Sequence, residues 1–172
     1  MVKLSISLLA IVLLLGCTSK SQKDLMASYS TKVAYHKQLQ KTEKVQLYHN
    51  HMTKAMLTAT YLYKPNFENN DTRDEVFIVG LHLADKSYAN INKNEYSLTL
   101  NGKKSQSIKA LKLNDEPLKD LAFVTDWASY YLVTFPHASS KNITLVFESK
   151  LYGKGELHFA KVAKYVLNKE AF

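Results

Sequence analysis

Six histidines, one cysteine and two adjacent pairs of acids are the residues that could do chemistry in this chain of 172. His49-Asn50-His51 has i, i+2 spacing. On a strand both rings would share a face and could grip a metal ion; on a helix they would point about 200° apart and could not. The pair lies where a helical pattern gives way to a strand pattern, and no third ligand stands near it. His49 and His51 are therefore weak metal candidates, and no cofactor is expected. His82 sits in an apolar run, which suits a hydrogen-bonded or partly exposed histidine better than a catalyst. His158 alternates with Leu157 and Phe159 and should face solvent. Asp74-Glu75 and Asp115-Glu116 fall in expected loops, where neighbouring acids are solvated turn residues and not the spaced pair of a glycosidase. There is no HExxH, GxSxG, P-loop or Gly-rich dinucleotide turn. No catalytic residue is assigned, and the chain reads as a non-enzyme.

The most aromatic stretch is "WASYYLVTF". Trp127, Tyr130 and Tyr131 are candidates for an interaction surface, because aromatic side chains anchor interfaces. The alternative is that one tyrosine of the pair enters the core while the other covers the surface.

The cysteine has a different use. Residues 1–16 read as a short basic start, an apolar stretch and a small residue, the pattern of a secretory signal. The apolar run from Leu4 to Gly16 is too short for a permanent span, which needs about 20 residues. Leu14-Leu15-Gly16-Cys17 resembles the lipobox of bacterial lipoprotein precursors. The resemblance implies that the Cys17 thiol receives a diacylglycerol and that the chain is cut between Gly16 and Cys17. It also implies a lipid anchor in a bacterial envelope. Thr18 at the second mature position implies the outer membrane if the host has two, since the family's inner-membrane signal is an aspartate there. With the thiol consumed, cysteine catalysis and an internal disulfide are both excluded.

Charge fits an envelope setting. The chain has 23 basic and 15 acidic residues, a formal charge of +8, and cleavage would remove only Lys3. The lysines are scattered, so a solvated basic surface is expected. Nucleic acid is not expected as a partner of an exported, tethered domain.

The elements that must position these residues follow from periodicity. After a polar tether, 17–23, Leu25, Tyr29, Val33, His36 and Leu39 form one helical stripe. No Gly or Pro interrupts 24–63, so a helix is expected over 24–50. From 51 to 172 the pattern is β. "KAMLTATYLY", "EVFIVGLHLA", "YSLTL", "SQSIKALKL", "WASYYLVTFP", "KNITLVFES" and "LHFAKVAKYVL" read as strands, with a Gly turn at 151–156 before the last. The second strand is apolar on both faces and should be central. Asn101-Gly102 is the strongest hairpin signal, with Ser105–Leu113 as the expected partner of "YSLTL". The expected fold is a mainly β antiparallel sandwich, immunoglobulin-like in layout, preceded by one N-terminal helix. The expected function is a membrane-anchored, non-catalytic protein-binding or assembly module with an envelope protein as partner. The alternatives are a sandwich that binds a small ligand, glycan or metal, and a hydrolase of envelope polymers.

Overall fold

Period-two alternation governs the chain from Thr42 onward. The computed structural model describes Asp24 and residues 39–65, 71–84, 95–121 and 123–161. Nine strands form in order: β1 (Thr42–His49), β2 (Met52–Tyr61), β3 (Glu75–Leu83), β4 (Tyr96–Leu100), β5 (Lys103–Lys104), β6 (Ser107–Leu111), β7 (Ser129–Phe135), β8 (Asn142–Ser149) and β9 (Gly153–Ala160). They make two antiparallel sheets, β1-β2-β3-β7-β6 and β5-β4-β8-β9. All nine belong to the unit Lys37–Phe172.

The core lies between the sheets. Leu57, Ala59 and Tyr61 from β2, Phe77, Val79 and Leu81 from β3, and Val133 and Phe135 from β7 face Leu98, Leu100, Ile143, Leu145, Phe147, Leu157 and Phe159. These are the alternate residues of each strand, as a two-layer β fold requires. Phe77 is the hub of the aromatic part, stacked on Tyr61 at 4.7 Å and edge-on to Phe135 and Phe159. Strand β3 is central, between β2 and β7, as its two apolar faces require.

Three expectations are corrected. Residues 42–49 are not the end of a helix but strand β1, paired with β2 through a turn at Asn50 and His51. Both turn residues have positive φ, 50° and 62°, which marks a type I′ turn. The helical stripe itself stops at Leu39, and lack of a breaker does not extend a helix. Val45 and Leu47 then alternate inward. The rest of the expected helix, 25–38, lies outside the described residues. The second correction concerns the Asn101-Gly102 turn, which is present with φ of 47° and 79° but joins β4 only to the two-residue β5. The chain then crosses to the other sheet, where β6 pairs with β7. The third is that β9 starts at Gly153, so 153–156 is strand and not turn.

Edge strands β1 and β9 approach closely at Gly155. A Cβ placed there would lie 2.2 Å from Val45 Cγ2, so only glycine fits without displacing β1. Gly155→Ala should lower unfolding stability in urea by about 1–3 kcal/mol. The Val45→Ala/Gly155→Ala double variant should recover part of that loss, and strict additivity in the double-mutant cycle would refute the steric account.

Candidate functional site

The chemistry-bearing residues gather in two places. The first is built around Glu75, the opening residue of β3. Its parity is that of Phe77 and Val79, so its side chain points between the sheets and is 1% exposed. Burying a carboxyl is costly unless every lone pair is met. Here the Tyr61 hydroxyl donates to Oε2, the Ala138 amide donates to Oε1 at 2.9 Å, and Lys161 Nζ pairs with Oε1 at 2.5 Å. Lys161 also donates to the Ala138 carbonyl at 2.5 Å. His137 stands at the rim, its Nδ1 3.1 Å from the Arg73 carbonyl oxygen and 3.6 Å from Glu75 Oε1. Burial, and then the Glu75 carboxyl beside it, push the Tyr61 hydroxyl far above the usual tyrosine range.

Outside this cluster Tyr63 stacks on Tyr61 at 5.6 Å, and the Arg73 and Lys161 cations lie 5.4 and 5.5 Å from its ring centre. Arg73 makes a forked pair with Asp71 at 2.8 Å, and those hydrogen bonds hold the Asp71 carboxyl well below the usual carboxylate range. Its contribution to stability is therefore complete above about pH 4 and is lost as pH falls further. No buried side-chain nitrogen or oxygen among the described residues lacks a partner, and the Glu75 cluster clamps its segments together.

The second place is the outer face of the five-stranded sheet. Residues 112–121 and 123–128 fold back over β3, β6 and β7. A short 3₁₀ turn, Glu116–Leu118, drops Leu118 onto Ile78 and Tyr130. The Tyr130 hydroxyl accepts from the Thr125 amide at 2.7 Å and donates to the Phe123 carbonyl at 3.1 Å. Gly80 lies opposite Tyr130 across the β3–β7 pair, and a Cβ there would meet the tyrosine ring at 2.9 Å. The missing side chain thus makes room for the ring that pins the segment. Beside it lies a cleft of ≈ 40 Å³, lined among others by Met56, Ile78, His82, Phe123 and Trp127. That volume holds a few waters or one side-chain end, far less than the hundreds of Å³ of a small-molecule pocket. His82 meets Trp127 edge-on at 4.8 Å, and its Nδ1 is 3.2 Å from the Trp127 carbonyl oxygen.

The aromatic triad of the sequence is thereby divided. Trp127 is 54% exposed, Tyr130 lies under the segment it pins, and Tyr131 points into the inter-sheet core. Tyr131 and Tyr130 are not exposed, because successive strand residues take opposite faces and both faces here are covered. Phe123, which sequence reasoning missed, is the other large aromatic exposed on this segment, at 49%. His49 ends β1 and His51 is a turn residue with left-handed backbone, so they do not share a strand face. Among the described residues no group of three or more His, Cys, Asp or Glu is placed to hold a metal. His158 is exposed, beside Thr144 at 3.2 Å. Asp115 accepts from the Lys112 amide and Glu116 pairs with Lys119, as turn acids do. Glu75 breaks that pattern: it is no solvated loop acid. Gly16 and Cys17 lie outside the described residues.

Lys161→Met should destabilise by about 3–5 kcal/mol in urea unfolding, because it strands a buried carboxyl. Tyr61 gives a pH signature. Its folded hydroxyl resists ionisation, so its contribution is complete below about pH 10 and declines above it by about 1.4 kcal/mol per pH unit. Tyr61→Phe should cost about 1–3 kcal/mol at neutral pH and make the alkaline decline shallower by that slope. An unchanged decline would show that Tyr61 ionises as freely folded as unfolded.

No family model matches the chain, no curated protein matches its sequence, and no solved structure matches its fold.

Proposed function

We propose that this chain is a bacterial envelope lipoprotein, anchored through Cys17 after cleavage behind Gly16, whose β-domain is a non-catalytic protein-docking module. The anchor rests on the Leu14-Leu15-Gly16-Cys17 motif after its apolar leader. Two or more acyl chains on one residue would hold it stably, since each buried CH₂ contributes about 0.8 kcal/mol. Thr18 favours the outer membrane in a two-membrane host. Among the described residues no helix is long and apolar enough to cross a membrane.

The observation that carries the docking reading is the exposed pair Phe123 and Trp127. Large aromatics are half-exposed on a segment that is otherwise fastened down by Leu118 and Tyr130. Rigid exposed aromatics suit an interface, because little freedom is lost when a partner covers them. The cleft between them is too small to favour a free ligand.

We also read the architecture as immunoglobulin-like. The strand order supports this: β2-β3-β7-β6 matches the A-B-E-D order of one immunoglobulin sheet, and β4-β8-β9 matches C-F-G of the other. Strand β5 then stands in the C′ place and β1 is an addition beside A. The disulfide and core tryptophan of antibody domains are not part of the match.

Cys17→Ser should abolish metabolic labelling with a fatty acid and release the protein from membranes; persistent labelling would refute the anchor. In-cell crosslinking of the tagged wild type should recover one stoichiometric envelope protein, with recovery reduced in Phe123→Ser. Recovery that is independent of Phe123 would place docking elsewhere.

A further inference from the structure

We propose that the Phe123–Trp127 cleft receives an arginine side chain from a basic segment of the partner protein. The inference rests on the docking reading and supplies the chemistry of the partner. Two observations carry it. The first is the cleft itself: half-exposed Trp127 and Phe123 border a space of ≈ 40 Å³ above Ile78 and Gly80, room for one side-chain end. A planar guanidinium stacks on an indole face better than an ammonium does and is less strongly hydrated.

The second is the local charge. The whole chain is strongly basic at +8, yet residues 113–127 carry four acids, Asp115, Glu116, Asp120 and Asp126, against Lys119 alone. Glu116 is taken by Lys119, and Asp115 caps the Lys112 amide. Asp120 and Asp126 are exposed and form no ion pair among the described residues. They directly precede Leu121 and Trp127, two residues that line the cleft. The exposed Phe123–Trp127 pair therefore sits in an acidic stretch of a basic protein. Such a surface repels the anionic face of a membrane and attracts a cationic peptide. The lining itself holds no acid, so the carboxylates of the same segment would act from the rim, pairing with the edge of a guanidinium whose plane stacks on an aromatic ring.

Trp127 is the only tryptophan, so its fluorescence reports on this cleft alone. The full chain in zwitterionic detergent micelles is titrated with an Arg-Leu repeat peptide, a Lys-Leu repeat, a Glu-Leu repeat and a neutral Ser-Leu repeat. The expected result is a saturable emission shift with the Arg-Leu peptide that is suppressed by salt. The Lys-Leu peptide should bind more weakly and the other two not at all. Asp120→Asn/Asp126→Asn should weaken Arg-Leu binding by about three- to tenfold with unchanged thermal unfolding. No response to the Arg-Leu peptide overturns the proposal. An equal response to the Ser-Leu peptide also overturns it while leaving an apolar docking surface intact. If nothing binds and crosslinking recovery is also insensitive to Phe123, the docking reading fails with it.

Discussion

One buried carboxyl holds the two layers in register. Glu75 opens β3, Tyr61 closes β2, Ala138 lies in the crossover from β7 to β8, and Lys161 follows β9. Three segments, from both sheets and the crossover between them, thus converge on the Glu75 side chain. A one-residue slip of β2 or β3 would turn Tyr61 or Glu75 to the opposite face and leave the others without partners in an apolar interior. A two-residue slip would keep the apolar faces inward but would part Glu75 from Tyr61, so the clamp fixes what the apolar pattern leaves open. No buried side-chain nitrogen or oxygen among the described residues lacks a partner, so the clamp leaves no uncompensated polar group.

The five-stranded sheet uses its two faces differently. Its inner face is sealed by the second sheet, and its outer face only in part, by residues 112–121 and 123–128. The covering segment is fixed at two points, the Leu118 side chain and the Tyr130 hydroxyl. What it does not bury, Phe123 and Trp127, it holds in place. The exposure of these rings is thus a product of ordered packing, and the glycine at 80 that admits the Tyr130 ring is a structural condition for it.

Much of the layout was legible in the sequence, because alternation in β4 and β8 is clear, β3 is apolar on both faces, and Asn101-Gly102 has the backbone freedom a type I′ turn needs. Strand β1 was not, because its turn is Asn50-His51 without glycine and the upstream stripe invited continuation. The fate of β6 was hidden as well: a hairpin signal identifies the turn but not how long the returning strand stays in the same sheet. Glu75 was readable and missed, since it shares parity with Phe77, Val79 and Leu81. Its neighbour Asp74 made it look like turn material. Tyr130 and Phe123 depend on how a long connection folds back over the sheet, a tertiary matter that no local period encodes.

The contact of β1 with β9 at Gly155 also has a bearing on behaviour in a crowd. With those two borders turned against each other, the backbone rows that stay open among the described residues lie on the far side, along β5 and β6. That side carries Lys103, Lys104 and Lys109, all exposed. Two molecules approaching border to border there would bring like charges together before any ladder could form. Among the described residues one flank is thus met by contact at Gly155 and the other carries like charge, both of which oppose edge-to-edge growth into a continuous sheet.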